Sequence, residues 1–272
     1  MLEEHHHMPD SNRLSVLIAA ILLAYALAHL IETPGYSLNL NLLGLVFSLP
    51  MNLNIAATLM ASGLTAAGMD WLLRGHPHFE AESTFQHLIL PALTAFVLGV
   101  PLNSLPFGPS WWLSFGLGGA LLMLVFLAEY IALDPSDVRH PAASAGLVAL
   151  SYTLFLILVT SLSYSSARLL WVAVIVFPAA GMVALRALHL RTGKWEYAWA
   201  IGIALILTQF AAALHYWPLE PVQYGLALLG PMYALTELAQ NLDEDISLRR
   251  AGIEASIGLA VFWAAAILVR GQ

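Results

Sequence analysis

Long apolar segments separated by short polar ones run along almost the whole chain. We identify nine of them, at 14–31, 53–73, 85–103, 110–132, 142–162, 168–189, 196–216, 222–240 and 252–269. An α-helix rises 1.5 Å per residue, so about 20 apolar residues cross the hydrocarbon core of a bilayer. The pattern predicts an all-α membrane protein, a nine-span helical bundle. A single transmembrane domain over residues 14–272 would follow an N-terminal cytoplasmic tail over 1–13.

One segment departs from this helical pattern. Apolar and polar residues alternate from Ser37 to Leu42, and the run from Met51 to Asn54 repeats the alternation. A period of two residues is typical of strands, and two such runs around a glycine indicate a hairpin. We predict a short β-hairpin over about 37–52. It should lie at the outer interface, because exposed strand edges are not tolerated in lipid. The alternative is an irregular or amphipathic-helical outer loop.

The basic residues give an orientation. Hydrophobic residues make up 60% of the chain and charged residues 10%, whereas a soluble domain carries roughly a quarter charged residues. With the N-terminus inside, the outer side holds only Arg168 and Arg270. The cytoplasmic side then holds eight basic residues, Arg13, Arg74, Arg139, Arg186, Arg191, Lys194, Arg249 and Arg250. The positive-inside rule therefore predicts an N-terminus in the cytoplasm and a C-terminus outside.

The amino-acid composition restricts the kinds of partner that the chain can bind. The sequence has no stripe of basic residues that would indicate nucleic-acid binding. Membrane lipid is the expected partner, with a small-molecule or lipid ligand as a further candidate. Cysteine is absent, which excludes disulfides and thiol nucleophiles. No cofactor is predicted. Two pairs of small residues, Gly63 with Ala67 and Gly116 with Ala120, permit close helix approach. Packing inside the bundle is the simpler interpretation, and the oligomeric state stays open.

Ionisable residues gather at the predicted cytoplasmic ends of the spans. Charges inside spans are costly and usually face a partner or a wet cavity. Arg186 should therefore pair with a carboxylate from another helix, either Glu129 or Glu237. The outer ends offer only His29, Glu32 and His215, which we interpret as interfacial residues. The sequence thus predicts a cytoplasmic binding site lined by Asp70, Arg74, His87, Glu129, Arg186 and Glu237.

The stretch 70–87 also contains possible metal ligands. The candidates are His76, His78 and His87, with Asp70 nearby, and imidazoles and carboxylates are the ligands of hydrolytic zinc. No known metal spacing is present, however, and Pro77 forces an extended turn between two of the histidines. We favour a hydrogen-bonded loop cap in which Arg74 meets a lipid phosphate. Asp70 and Arg74 are four residues apart on one helix face, so they could also pair with each other.

Three functions remain compatible with the sequence. The first is binding or transport of a small molecule or lipid through a polar pocket on the cytoplasmic side. Prolines inside three spans, Pro91, Pro178 and Pro231, could kink the helices that line it. The second is a structural or assembly subunit. The third is a membrane-embedded hydrolase or transferase that acts on lipid through the 70–87 cluster.

Two short stretches carry a resemblance to a known family. They are the residues from Gly68 through Asp70, Trp71, Arg74, His76 and Pro77 to His87, and the segment from Glu129-Tyr130 to Asp134-Pro135. In these the chain resembles a family of uncharacterised bacterial multi-pass membrane proteins. The resemblance implies the bacterial inner membrane and supplies no activity.

Overall fold

The computed structural model describes residues 10–31, 36–42, 45–51, 53–75, 84–134, 136–165 and 167–269. Within these residues the chain forms nine helices and two strands. Its internal contacts divide it into two compact units, Met1–Ala143 and Ser144–Gln272.

The first unit is a four-helix arrangement with a strand pair after its first helix. The elements are α1 Ser11–Leu30, β1 Tyr36–Leu42, β2 Leu45–Met51, α2 Leu53–Leu73, α3 Thr84–Ser104 and α4 Pro109–Ala132. Helix α2 packs against α1 and α3, and α4 packs against α3 and α1. Apolar side chains from all four helices form one core, which includes Ile21, Leu72, Leu98 and Phe126.

The strands occupy the segment in which the sequence alternates. β1 and β2 are antiparallel, with Tyr36 opposite Met51 and Leu42 opposite Leu45. The described part of the segment is therefore extended and paired rather than an extension of α2. Residues 43 and 44, which join the strands, lie outside the described residues. The position of this pair at a membrane interface stays a prediction.

The second unit contains the remaining helices, the first of which begins shortly before the unit. They are α5 His140–Tyr164, α6 Leu169–Thr192, α7 Tyr197–Leu214, α8 Pro221–Asp243 and α9 Leu248–Val269. Helix α8 packs against α6, α7 and α9. Its start is fixed by a capping box between Glu220 and Gln223, with Pro221 in the first turn. Gly193, at φ 69°, ends α6 in the left-handed conformation that glycine adopts without strain.

Pro231 lies in the middle of α8 and shapes its contact with α9. Proline has no N–H, so the carbonyl four residues earlier, that of Ala227, loses its helical donor. The indole Nε1 of Trp263 on α9 donates to this carbonyl at 3.2 Å. Gly230 makes the approach possible, because a Cβ there would lie 3.1 Å from the Trp263 ring. The proline is thus matched by a side-chain donor from the next helix.

Seven of the described helices are long and apolar enough to cross a membrane; α2 and α8 are the exceptions. The chain is therefore a multi-pass helical membrane protein, as its hydropathy predicted. The count of nine spans and the orientation stay predictions.

Close helix contacts fall at glycines other than the predicted ones. A Cβ at Gly63 or Gly116 would meet no atom within 4 Å, so the packing that we inferred for these two was wrong. At Gly118 a Cβ would instead lie 3.2 Å from Leu98, and at Gly225 it would overlap with Thr160. Small residues matter only where a neighbouring helix faces them.

Candidate functional site

A histidine and a glutamate form a buried pair in the first unit. His87 lies in the first turn of α3 and Glu129 near the end of α4. Nδ1 of His87 is 2.7 Å from Oε2 of Glu129, with side-chain exposures of 4% and 0%. Nε2 of the same ring is 3.0 Å from the amide nitrogen of Gln86. The two ring nitrogens of His87 are therefore both engaged, Nδ1 by the Glu129 carboxylate and Nε2 by the Gln86 side-chain amide.

A pair of oppositely charged residues lies at the same end of this unit. Nε of Arg74 donates to Oδ2 of Asp70 at 2.8 Å, as the four-residue spacing predicted. The pair is more exposed than the His87–Glu129 pair. Asp70 is in the last turn of α2, and residues 74–83 lead from there to α3. Four of the six predicted site residues thus belong to one end of the first unit.

The other two, Arg186 and Glu237, belong to the second unit. Arg186 is buried in α6, with 1% of its surface exposed. Glu237 lies near the end of α8, and its Oε1 is 3.3 Å from Nη1 of Arg191. Pairing of Arg186 with Glu129 or Glu237 stays a prediction.

Arg191 organises this end of the second unit, and sequence reasoning missed it. Its guanidinium contacts four side chains, three from α8 and one from the residue that follows this helix. The shortest of these contacts is 2.8 Å. The four side chains are Glu237, Gln240, Asn241 and Glu244. Their spacing of i, i+3, i+4 and i+7 places them on one helix face. This polar stripe was the signal in the sequence that could have predicted a cationic partner.

The network continues to α9 and back to α6. Asn241 donates to Glu254 at 2.9 Å, and Glu254 also accepts from Arg250 at 3.0 Å. Gln240 donates to the Ala187 carbonyl of α6 at 3.1 Å. Polar side chains therefore join three helices at this end, which is the arrangement that anchors helices to one another.

Two cavities lined by described residues of the second unit lie elsewhere. One is lined by the ends of α5 and α7 and the starts of α6 and α8, and the other follows α9 from Leu248 to Ala260. Arg186 and Glu237 line neither. The predicted site in this unit is thus a network of buried and half-buried side chains.

A family model with the description "Protein of unknown function (DUF5656)" matches residues 33–269. The chain belongs to this family. The match confirms the predicted resemblance to an uncharacterised family, and DUF5656 supplies no activity. It runs from the segment before β1 to the end of α9, so it includes all six predicted site residues. The chain matches no curated protein and no solved structure.

The metal hypothesis gains no support within the described part of this DUF5656 chain. No group of three or more histidine, aspartate or glutamate side chains converges among those residues. His76 and His78 lie outside them, and His87 is turned toward Glu129 and Gln86. A zinc site in the 70–87 stretch therefore stays an untested prediction.

Proposed function

We propose that this chain binds or transports a small molecule or a lipid at the end of its first unit where α2, α3 and α4 carry their ionisable residues. The observation that supports the proposal is the buried His87–Glu129 pair. Ionisable side chains at membrane depth are expensive to bury, and for that reason they mark functional sites by default. Half-exposed Asp70 and exposed Arg74 extend the same end toward the solvent.

The charges of this end suggest the ligand class. Asp70 and Glu129 are acids, Arg74 is a permanent cation, and His87 contributes an imidazole that both donates and accepts hydrogen bonds. A mixed set of this kind suits a ligand that carries both charges, such as a zwitterionic phospholipid head group or a small zwitterion. A set of one sign would favour a ligand of the opposite sign.

We place this end at the cytoplasmic face of the bacterial inner membrane, in a chain of nine spans. Eight of the ten basic residues then lie inside. α2 and α8 are included as spans because 21 and 23 residues reach about 30 Å. Their polar residues need not face lipid, since α8 packs against three other helices.

A titration of the purified chain in detergent tests the binding. Short-chain phosphatidylethanolamine and soluble phosphoethanolamine are each added while the melting temperature is recorded. We expect at least one to raise the melting temperature of the wild type and to have no effect on Glu129→Gln. A response to the lipid alone identifies a lipid site, and a response to both identifies a small-zwitterion site. An equal rise in wild type and Glu129→Gln contradicts the proposal.

A second candidate function, that of a structural or assembly subunit, is favoured by the Arg191 network. Its guanidinium contacts four side chains, which is typical of a helix anchor rather than a ligand site. The two functions differ in what Glu129→Gln changes. In a structural subunit, Glu129→Gln lowers stability, and there is no ligand response to lose. In a binding protein, the same substitution abolishes the rise in melting temperature that the ligand causes.

A further inference from the structure

The end of the second unit opposite the Arg191 network contains a cavity of about 270 Å³. It lies where α5 and α7 end and where α6 and α8 begin. Its apolar walls are provided by Leu162, Val172 and Leu214, and its polar lining by Ser163, His215 and Trp217. From the sequence we predicted only an interfacial histidine here. The cavity itself was not predictable, because it forms where residues from four helices meet.

The polar lining consists of hydrogen-bond donors. Among the described residues, no hydrogen bond engages the Ser163 hydroxyl, the His215 ring nitrogens or the Trp217 indole N–H. The indole only donates, and the hydroxyl and the imidazole can each donate as well. The Tyr224 hydroxyl, by contrast, already donates to the Ala211 carbonyl at 3.2 Å.

The electrostatics of the cavity favour an anion. Among the described residues, no acidic side chain lines it. Ala167 and Val172 line it from either side of the start of α6, and Tyr224 lines it from the first turn of α8. Helix N-termini carry partial positive charge, so the start of α6 adds to the effect of the three donors. The start of α8 does not, because the Glu220 carboxylate caps it.

The surroundings place the cavity at a membrane boundary. It lies at the ends of α5, α6 and α7, which are long and apolar enough to span. Tyr164, Tyr216 and Trp217 are largely exposed around it, as expected of the aromatic belt at a bilayer interface. A volume near the lower limit for ligand pockets accommodates a head group and leaves the rest of an amphiphile in the bilayer.

We propose that this cavity binds the phosphate or carboxylate head group of an amphiphile, with Ser163, His215 and Trp217 as donors to its oxygens. This site is independent of the one proposed around His87 and Glu129.

The test uses the full chain in dodecyl maltoside, with monododecyl phosphate as the probe and melting temperature as the readout for affinity. Trp217→Phe keeps the ring and removes the donor, and we expect about tenfold weaker binding, the usual effect of one lost hydrogen bond to a charged group. Ala167→Leu fills the cavity and should weaken binding by at least about as much. Trp199→Phe and Ala213→Leu, at exposed positions of α7, are the matched controls and should bind as the wild type does.

Two comparison ligands distinguish the sources of the anion. Inorganic phosphate should not compete, and dodecanol, which lacks the anion, should not bind. Equal affinity of the wild type, Trp217→Phe and Ala167→Leu for monododecyl phosphate would show that the probe does not bind in this cavity, which overturns the proposal. Competition by inorganic phosphate at the same concentration would show that the ligand needs no apolar chain, which contradicts the proposed amphiphile. Binding of dodecanol with equal affinity would contradict the requirement for an anion. If Ala167→Leu does not fold, the comparison of Trp217→Phe with Trp199→Phe decides.

Discussion

Nδ1 of His87 lies 2.7 Å from Oε2 of Glu129, and neither side chain is accessible to solvent beyond a few per cent. The two residues are 42 positions apart in the chain, so the contact exists only because α3 and α4 pack together. It fixes the relative position of the start of one helix and the end of the other.

Removing one member of this pair should destabilise the protein. Glu129→Ala leaves a buried imidazole N–H without its acceptor, at a cost of about 2–4 kcal/mol. The exposed pair offers the control, since Asp70→Ala should cost at most about 0.5 kcal/mol. Melting temperatures in detergent measure both variants, and equal losses would show that the buried pair contributes no more than a surface one.

The Trp263–Ala227 hydrogen bond predicts a coupling with Pro231. Trp263→Phe should cost about 1 kcal/mol, the usual value for a hydrogen bond. In a Pro231→Ala background the helix supplies its own donor to the Ala227 carbonyl, so the same substitution should cost less. A double-mutant cycle of unfolding free energies measures this coupling. Additive effects would mean that the indole donor does not compensate for the proline.

The forked geometry of Arg191 predicts that lysine cannot replace it. Arg191→Lys keeps the charge and loses several of the contacts to α8, so we expect a loss of about 1 kcal/mol, limited by solvent screening. Arg250→Lys is the control, because Arg250 makes a single exposed contact to Glu254 worth about 0.3–0.5 kcal/mol. A loss for Arg191→Lys no greater than for Arg250→Lys would remove the basis for calling Arg191 the organiser of this end.

Sequence patterns predicted the helices well and their contacts poorly. The span at 222–240 corresponds to α8 at Pro221–Asp243, because hydropathy and a proline at the first turn are local signals. The partners of Glu237 and the glycines that helices approach depend on which helices become neighbours. Gly116 and Gly118 differ by two positions in one helix, yet only Gly118 faces Leu98. The polar stripe on α8 was readable, but its partner Arg191 was 46 residues or more away.

The absence of native cysteines makes the predicted topology directly testable. Single cysteines introduced in place of Pro218 and Asp245 would flank α8. This helix is one of the two that are not apolar enough to be identified as spans by hydropathy alone. We expect a membrane-impermeant thiol reagent to label Pro218→Cys from the outside and Asp245→Cys only after the cytoplasmic side is opened. Labelling of both from the same side would exclude α8 as a span and with it the count of nine.

The central claim, that the end of the first unit with His87 and Glu129 holds a ligand, is tested most directly by lipid retention. The chain is released from nanodiscs that contain phosphatidylethanolamine, and native mass spectrometry counts the lipids that remain bound. Glu129→Gln preserves the side-chain shape and removes the charge, and Asp137→Asn in the following loop is the control. We predict that the wild type and Asp137→Asn retain the lipid at least about fivefold more than Glu129→Gln does, which corresponds to about 1 kcal/mol. Equal retention by all three proteins would contradict the account.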